Sequence, residues 1–190
     1  MTGLIALAGS CGTASAQCGE ATHRPPRGDS LDGQPAPLAI GDSVLYDAAG
    51  ALAGRGFEVN AMVCRQMSQG IALLRARGRG LPHLVVLALG TNGAVSEGDI
   101  DTVLDLLGPQ RVLAMVTPHH GVVGSDSDVI RTAAKRHRGR IIVLDWDRLS
   151  AGHGDWFAPD GIHLGGSVGI AAYVGLVAGT LPFAVVPCPP

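Results

Sequence analysis

Three short stretches of the chain carry residues that could do nucleophilic chemistry together. In Ile40-Gly41-Asp42-Ser43-Val44 an apolar run stops at a serine, and a helical pattern (Leu45, Ala48, Ala49, Leu52) leaves it. A strand ending this way presents a hydroxyl beside a helix N-terminus, where backbone N–H groups lack partners and the dipole favours negative charge. That suits a nucleophile and the oxyanion it generates. The plainer reading is a strand, a turn and an N-capping serine, so the other two stretches decide. Leu89-Gly90-Thr91-Asn92-Gly93 follows the clearest apolar run, Leu84 to Leu89, and offers the Asn92 amide as a donor. Asp160-Gly161-Ile162-His163 sets a carboxylate three residues from an imidazole. Asp160 could orient His163, and His163 could take the proton from Ser43.

These stretches need a scaffold that brings them together. The chain has 190 residues, 46% of them hydrophobic, with 28 glycines, which fits one α/β domain with many turns. Short apolar runs predict strands at 37–41, 57–63, 83–89, 111–116 and 140–144. Amphipathic spacing predicts helices near 45–54, 66–77, 99–107, 126–137 and 166–179. Strand and helix alternating in this way imply a three-layer αβα sandwich around a five-stranded parallel sheet with right-handed crossovers. The site of such a fold lies beyond the carboxyl ends of its strands. All three reactive stretches fall there. The expected boundaries are a signal-like or disordered segment and linker over 1–36, the domain over 37–181 and a tail over 182–190.

In this order on this strand pattern, Gly41-Asp42-Ser43, Gly90-Thr91-Asn92 and Asp160-Gly161-Ile162-His163 resemble the SGNH (GDSL) hydrolases. The resemblance implies a flavodoxin-like fold, with Ser43 as nucleophile and as oxyanion-hole donor, Asn92 as a second donor, and His163 and Asp160 completing the triad. The family's remaining block places a glycine N–H in the loop after the second strand. Here that loop reads Val63-Cys64-Arg65-Gln66, and Cys64 stands in the glycine's place. Its N–H could still donate, although its Cβ restricts φ. The Arg65-Gln66 pair is similar to the SGNH domains of membrane acyltransferases that O-acetylate surface polysaccharides. The resemblance therefore implies a serine esterase acting on short acyl esters of carbohydrates or small molecules. An O-acyltransferase shares the same first half-reaction, and a non-catalytic carbohydrate-binding module is the reading from another class.

Other features narrow the choice. A net charge of −2 provides no electrostatic footprint for nucleic acid or an anionic membrane. The basic cluster Arg131, Lys135, Arg136, His137, Arg138 and Arg140, on a helix and its exit, reads as a solvated face. Asp42, Arg65, Gln66, His119 and Trp156 are candidate pocket residues, and Asp147 is a competitor of Asp160 for His163. No metal or organic cofactor is implied, and no stretch after the first 36 residues is long enough to span a membrane. Leu4–Ala8 followed by Ala14-Ser15-Ala16 has the form of an export signal, so a secreted or surface location is expected. Cys11, Cys18, Cys64 and Cys188 fit no metal spacing, and their pairing stays open. A second Gly-Asp-Ser, at Gly28-Asp29-Ser30, has no strand before it or helix after it and is assigned no chemistry.

Overall fold

The computed structural model describes residues 17–27, 33–121, 124 and 126–185. The apolar run Leu4–Ala8, Ala14-Ser15-Ala16, Cys11, Cys188 and the second Gly-Asp-Ser lie outside the described residues. Five parallel strands form the sheet: β2 (Leu38–Gly41), β3 (Glu58–Met62), β4 (Leu84–Ala88), β5 (Val112–Val116) and β6 (Ile141–Leu144). A sixth, β1 (Ala21–Arg24), runs antiparallel to β3 at the edge, giving the order β1-β3-β2-β4-β5-β6. It comes from the segment expected to be a linker, which corrects the five-strand count. Ala21-Thr22-His23-Arg24 carries no apolar alternation because it is exposed along nearly its whole length. Backbone pairing holds it, and pairing leaves no mark on composition.

The helices α1 (Ser43–Ala53), α2 (Met67–Arg77), α3 (Glu97–Leu107), α4 (Asp126–Arg136), the single turn α5 (Trp146–Leu149) and α6 (Gly166–Ala178) complete the layers. β4 is buried on both faces and alternates between two cores. Leu84 and Val86 pack with α1 and α6 (Leu45, Leu52, Tyr173, Val177), while Val85 and Leu87 pack with α2, α3 and α4 (Leu74, Ile100, Ile130). Helix α3 starts two residues earlier than its apolar spacing suggests. Ser96 caps it, accepting the Asp99 N–H while Asp99 accepts the Ser96 N–H.

The order of the strands positions the site. From β2 the chain crosses to β3 on one side, and from β3 it crosses back over β2 to β4 on the other. The carboxyl ends of β2 and β4, hydrogen-bonded neighbours with Gly41 opposite Ala88, therefore flank the point where the crossovers part. A crevice opens at such a point.

Candidate active site

Ser43 is the first residue of α1 and is buried. Before it, Asp42 caps the helix, its Oδ1 accepting the Val44 N–H at 3.0 Å. The Asp42 N–H donates to Ala88 O on β4, so the turn that carries the serine is tied directly to the neighbouring strand. Asp42 is 1% exposed, and burial pushes its carboxyl up to about 6. Its Oδ2 has no partner at hydrogen-bonding geometry, although Thr91 lies near enough to favour the charged form.

His163 is held by a turn of its own. Phe157 and Leu164 form a bridge, the Ala158 N–H donates to His163 O, and Gly161 adopts φ +70 at the tip. Asp160 organises that turn by accepting the N–H groups of Ile162 and His163 through Oδ1. Its Oδ2 lies 2.7 Å from His163 Nδ1, and the Ile162 N–H with the imidazole lowers its pKa to about 2. The turn docks on the serine's helix through Asp47, whose Oδ2 accepts the Leu164 N–H at 3.2 Å. Asp47 lies four residues, about one helical turn, after Ser43 and so shares its face. Both Asp42 and Asp47 feel the charge of His163. Among the described residues no direct hydrogen bond joins Ser43 Oγ to His163; catalytic hydrogen bonds of this kind commonly tighten only when substrate binds.

Asn92 lies in the loop after β4, and its Nδ2 is buried without a partner among the described residues. Cys64 follows β3 with φ 62, in the left-handed region. Its neighbours' amides are occupied, Val63 N–H by Glu20 O and Arg65 N–H by Met62 O, whereas no acceptor takes the Cys64 N–H among the described residues. Its sulfur is bonded to Cys18.

The candidate pocket residues separate. Asp42 and His119 line one cavity with Thr91, Trp146, Ile162 and Tyr173, but at about 10 Å³ it has room for one water and no acyl group. His119 stacks on Phe157 with ring centroids 4.4 Å apart, and burial lowers its pKa. Gln66 lies against Gly93 in the Asn92 loop. Arg65 turns away from the pocket: its guanidinium donates to Gly41 O, Asn60 O and Asn60 Oδ1, bracing the ends of β2 and β3. Trp156 is sandwiched between His153 and Trp146. Asp147 does not compete for His163, because it pairs with Arg131. Arg131 is not a solvated residue either, since it also binds Asp145 and Asp128.

No protein-family profile matches the sequence. Among curated proteins the chain is similar to the O-acetyltransferase OatA of Staphylococcus aureus (strain NCTC 8325 / PS 47), with 31% identity over 134 residues. That alignment takes in 67% of this chain and 22% of the relative, so the chain spans less than a quarter of its relative's length. Among solved structures, the C-terminal catalytic domain of Streptococcus pneumoniae peptidoglycan O-acetyltransferase A (OatA), carrying a methylsulfonyl adduct, superposes with a TM-score of 0.68. Identity is 25%, over 80% of this chain and 94% of that one. The chain has the fold of the SGNH (GDSL) hydrolases. A lipase/acylhydrolase from Enterococcus faecalis shares the fold at 15% identity and TM-score 0.59, covering 82% of this chain and all of its own. The proteins that this chain resembles are named as O-acetyltransferases and as a lipase/acylhydrolase. Asp47 escaped the sequence reading, although its place one helical turn past Ser43 was a usable signal. The Cys18–Cys64 bond escaped it as well, because Cys18 sits where no fold was expected.

Proposed function

We propose that this SGNH enzyme carries an acetyl group on Ser43 and passes it to a hydroxyl of a cell-wall polysaccharide. Ser43 Oγ attacks the donor ester's carbonyl carbon and gives its proton to His163 Nε2. Asp160 holds the Nδ1–H, which leaves Nε2 free to accept. The tetrahedral oxyanion is met by the N–H groups of Ser43 and Cys64 and by Asn92 Nδ2. Collapse expels the donor's alkoxide, which takes the proton from His163. The acceptor hydroxyl then repeats the sequence on the acyl-serine, and water in its place produces hydrolysis.

Asn92 carries this reading. A buried amide N–H without an acceptor costs about 1–3 kcal/mol, and a transient oxyanion in the crevice is an acceptor that would repay it. Transfer is preferred over simple hydrolysis because relatives at 31% and 25% identity are named as O-acetyltransferases, one of them as a peptidoglycan O-acetyltransferase. The Cys18–Cys64 disulfide fits an exported protein working outside a reducing cytoplasm, and among the described residues no helix is long and apolar enough to cross a membrane. Residues 37–181 supply every proposed catalytic group.

The test is to incubate the enzyme with p-nitrophenyl acetate and glycan oligomers and to weigh the products. Acetylated glycan is expected, and Ser43→Ala should form none. Retained activity in Ser43→Ala would remove the nucleophile assignment. Nitrophenol release with no acetylated glycan, whatever the acceptor, would return the enzyme to the esterases.

A further inference from the structure

We infer that the N-terminal strap, residues 17–24, is a positioning element of the oxyanion hole, acting through the Cys18–Cys64 disulfide. The inference deepens the proposed function and rests on it. Residue 64 is the expected N–H donor of the β3 loop, and its φ of 62 belongs to a region that glycine enters freely and a residue with a Cβ does not. Some external restraint must hold a cysteine there, and the strap provides it. Cys18 is bonded to Cys64 across 46 residues of sequence. Next to that link the backbone is paired twice, Gly19 N–H to Val63 O at 3.1 Å and Val63 N–H to Glu20 O at 2.8 Å. The same strap reaches the helix that carries the nucleophile, where Tyr46 donates its hydroxyl to Glu20 at 2.7 Å. One segment thus grips both the loop of Cys64, whose N–H has no acceptor among the described residues, and the helix of Ser43.

A glycine in that loop would need no strap. With cysteine, the donor keeps its conformation only while the sulfur–sulfur bond is closed, so the catalytic site matures by oxidation. A phosphine reverses that step: it takes the disulfide to two thiols, with protons from water, and leaves as the phosphine oxide carrying the water's oxygen. Cys18 is exposed, so the reagent has access.

The experiment compares Cys18→Ser, Cys64→Gly and the double variant Cys18→Ser/Cys64→Gly, measuring kcat and KM on p-nitrophenyl acetate below each melting point. Cys18→Ser should lower kcat about tenfold or more at little-changed KM, as expected when a transition-state donor is misplaced. The double variant lacks the bond equally, yet it should recover most of that loss because glycine tolerates φ near +60. Phosphine should reproduce the loss in the wild type, reversibly on reoxidation, and leave Cys64→Gly unaffected. Wild-type kcat in Cys18→Ser, or a double variant no better than the single, would overturn the inference and leave the bond a merely stabilising one. If Cys18→Ser does not fold by circular dichroism, the reduced wild type decides, and retained kcat there overturns it. Labelling of wild-type Ser43 by methanesulfonyl fluoride separates the two layers. Absence of labelling strikes the serine reading, whereas labelling combined with an unaffected Cys18→Ser strikes the strap alone.

Discussion

The two halves of the candidate site are held by different kinds of force. Ser43 sits where sheet and helix meet, and its support is non-local. A Cβ on Gly41 would lie 2.4 Å from Leu45 Cβ and 2.9 Å from Ala88 O, so β2, β4 and α1 close together only because that position is bare. His163 sits on a turn in which six residues, 158–163, satisfy one another, and its side chain and that of Asp160 are 40% and 48% exposed. The turn is joined to the rest of the molecule by Asp47, by Ile162 packed on the core, and by the close approach of Gly165 and Gly169 to the Phe157 and Trp156 carbonyls. Topology places the nucleophile, and local hydrogen bonding places the base. Damage to the first should therefore register as lost stability, and damage to the second as lost turnover.

The largest effect should come from the exposed half. Asp160→Asn keeps an acceptor for the Ile162 and His163 N–H groups but sets an amide N–H₂ against His163 Nδ1, favouring the wrong tautomer. Turnover should fall about 10²–10⁴-fold, while the urea midpoint stays close to wild type because the altered Asp160–His163 contact is exposed. A large drop in that midpoint would break the comparison, since the turn would then support the fold. Gly41→Ala should do the reverse. Its methyl group meets backbone as well as side chain, so the expected cost is at the upper end of the ~1–3 kcal/mol typical of overpacking, or above it. Denaturant unfolding measures this. A change under about 0.5 kcal/mol, the range of ordinary surface substitutions, would show that the strand end can yield and that the contrast is overstated.

The centre of the sheet was readable because β2 and β4 are buried on both faces and appear as unbroken apolar runs such as Leu84 to Leu89, whereas β3 alternates between buried and half-buried residues. The expectation that Ser43, Asn92 and Asp160-His163 lie at one edge came from the alternation of strands and helices alone. What stayed hidden was held by backbone or by covalent bonds. β1 is polar and exposed, and its only signature is pairing with β3. Arg65 looked like a pocket cation because its bonds go to carbonyls and to Asn60, whose spatial positions no spacing rule supplies. Arg131 looked solvated for the same reason, since its partners Asp145 and Asp147 come from beyond the next strand.

Asp42 offers a smaller and pH-dependent test of the buried half. Burial lifts its pKa from an ordinary 3.8 to about 6, outweighing the bonds from Thr91 and Val44 and the charge of His163, which pull it down. Arg65 also lies close enough for the two charges to interact. Below pH 4 the carboxyl is protonated whether the chain is folded or not, and the group is neutral to stability. Between 4 and 6 the unfolded chain releases the proton and the folded chain keeps it, so stability falls as pH rises, and above 6 the full penalty is present. A shift of this size corresponds to about 2–3 kcal/mol. Asp42→Asn retains an oxygen for the Val44 N–H but cannot ionise. Its unfolding free energy should therefore exceed that of the wild type near pH 7.5, and the gap should close toward pH 4. The depressed pKa of Asp160 is common to both proteins and cancels in the difference. A gap that does not change with pH would mean that the floor beneath Ser43 is wet enough to solvate a carboxylate, and that the two halves of the site differ less in burial than their packing suggests.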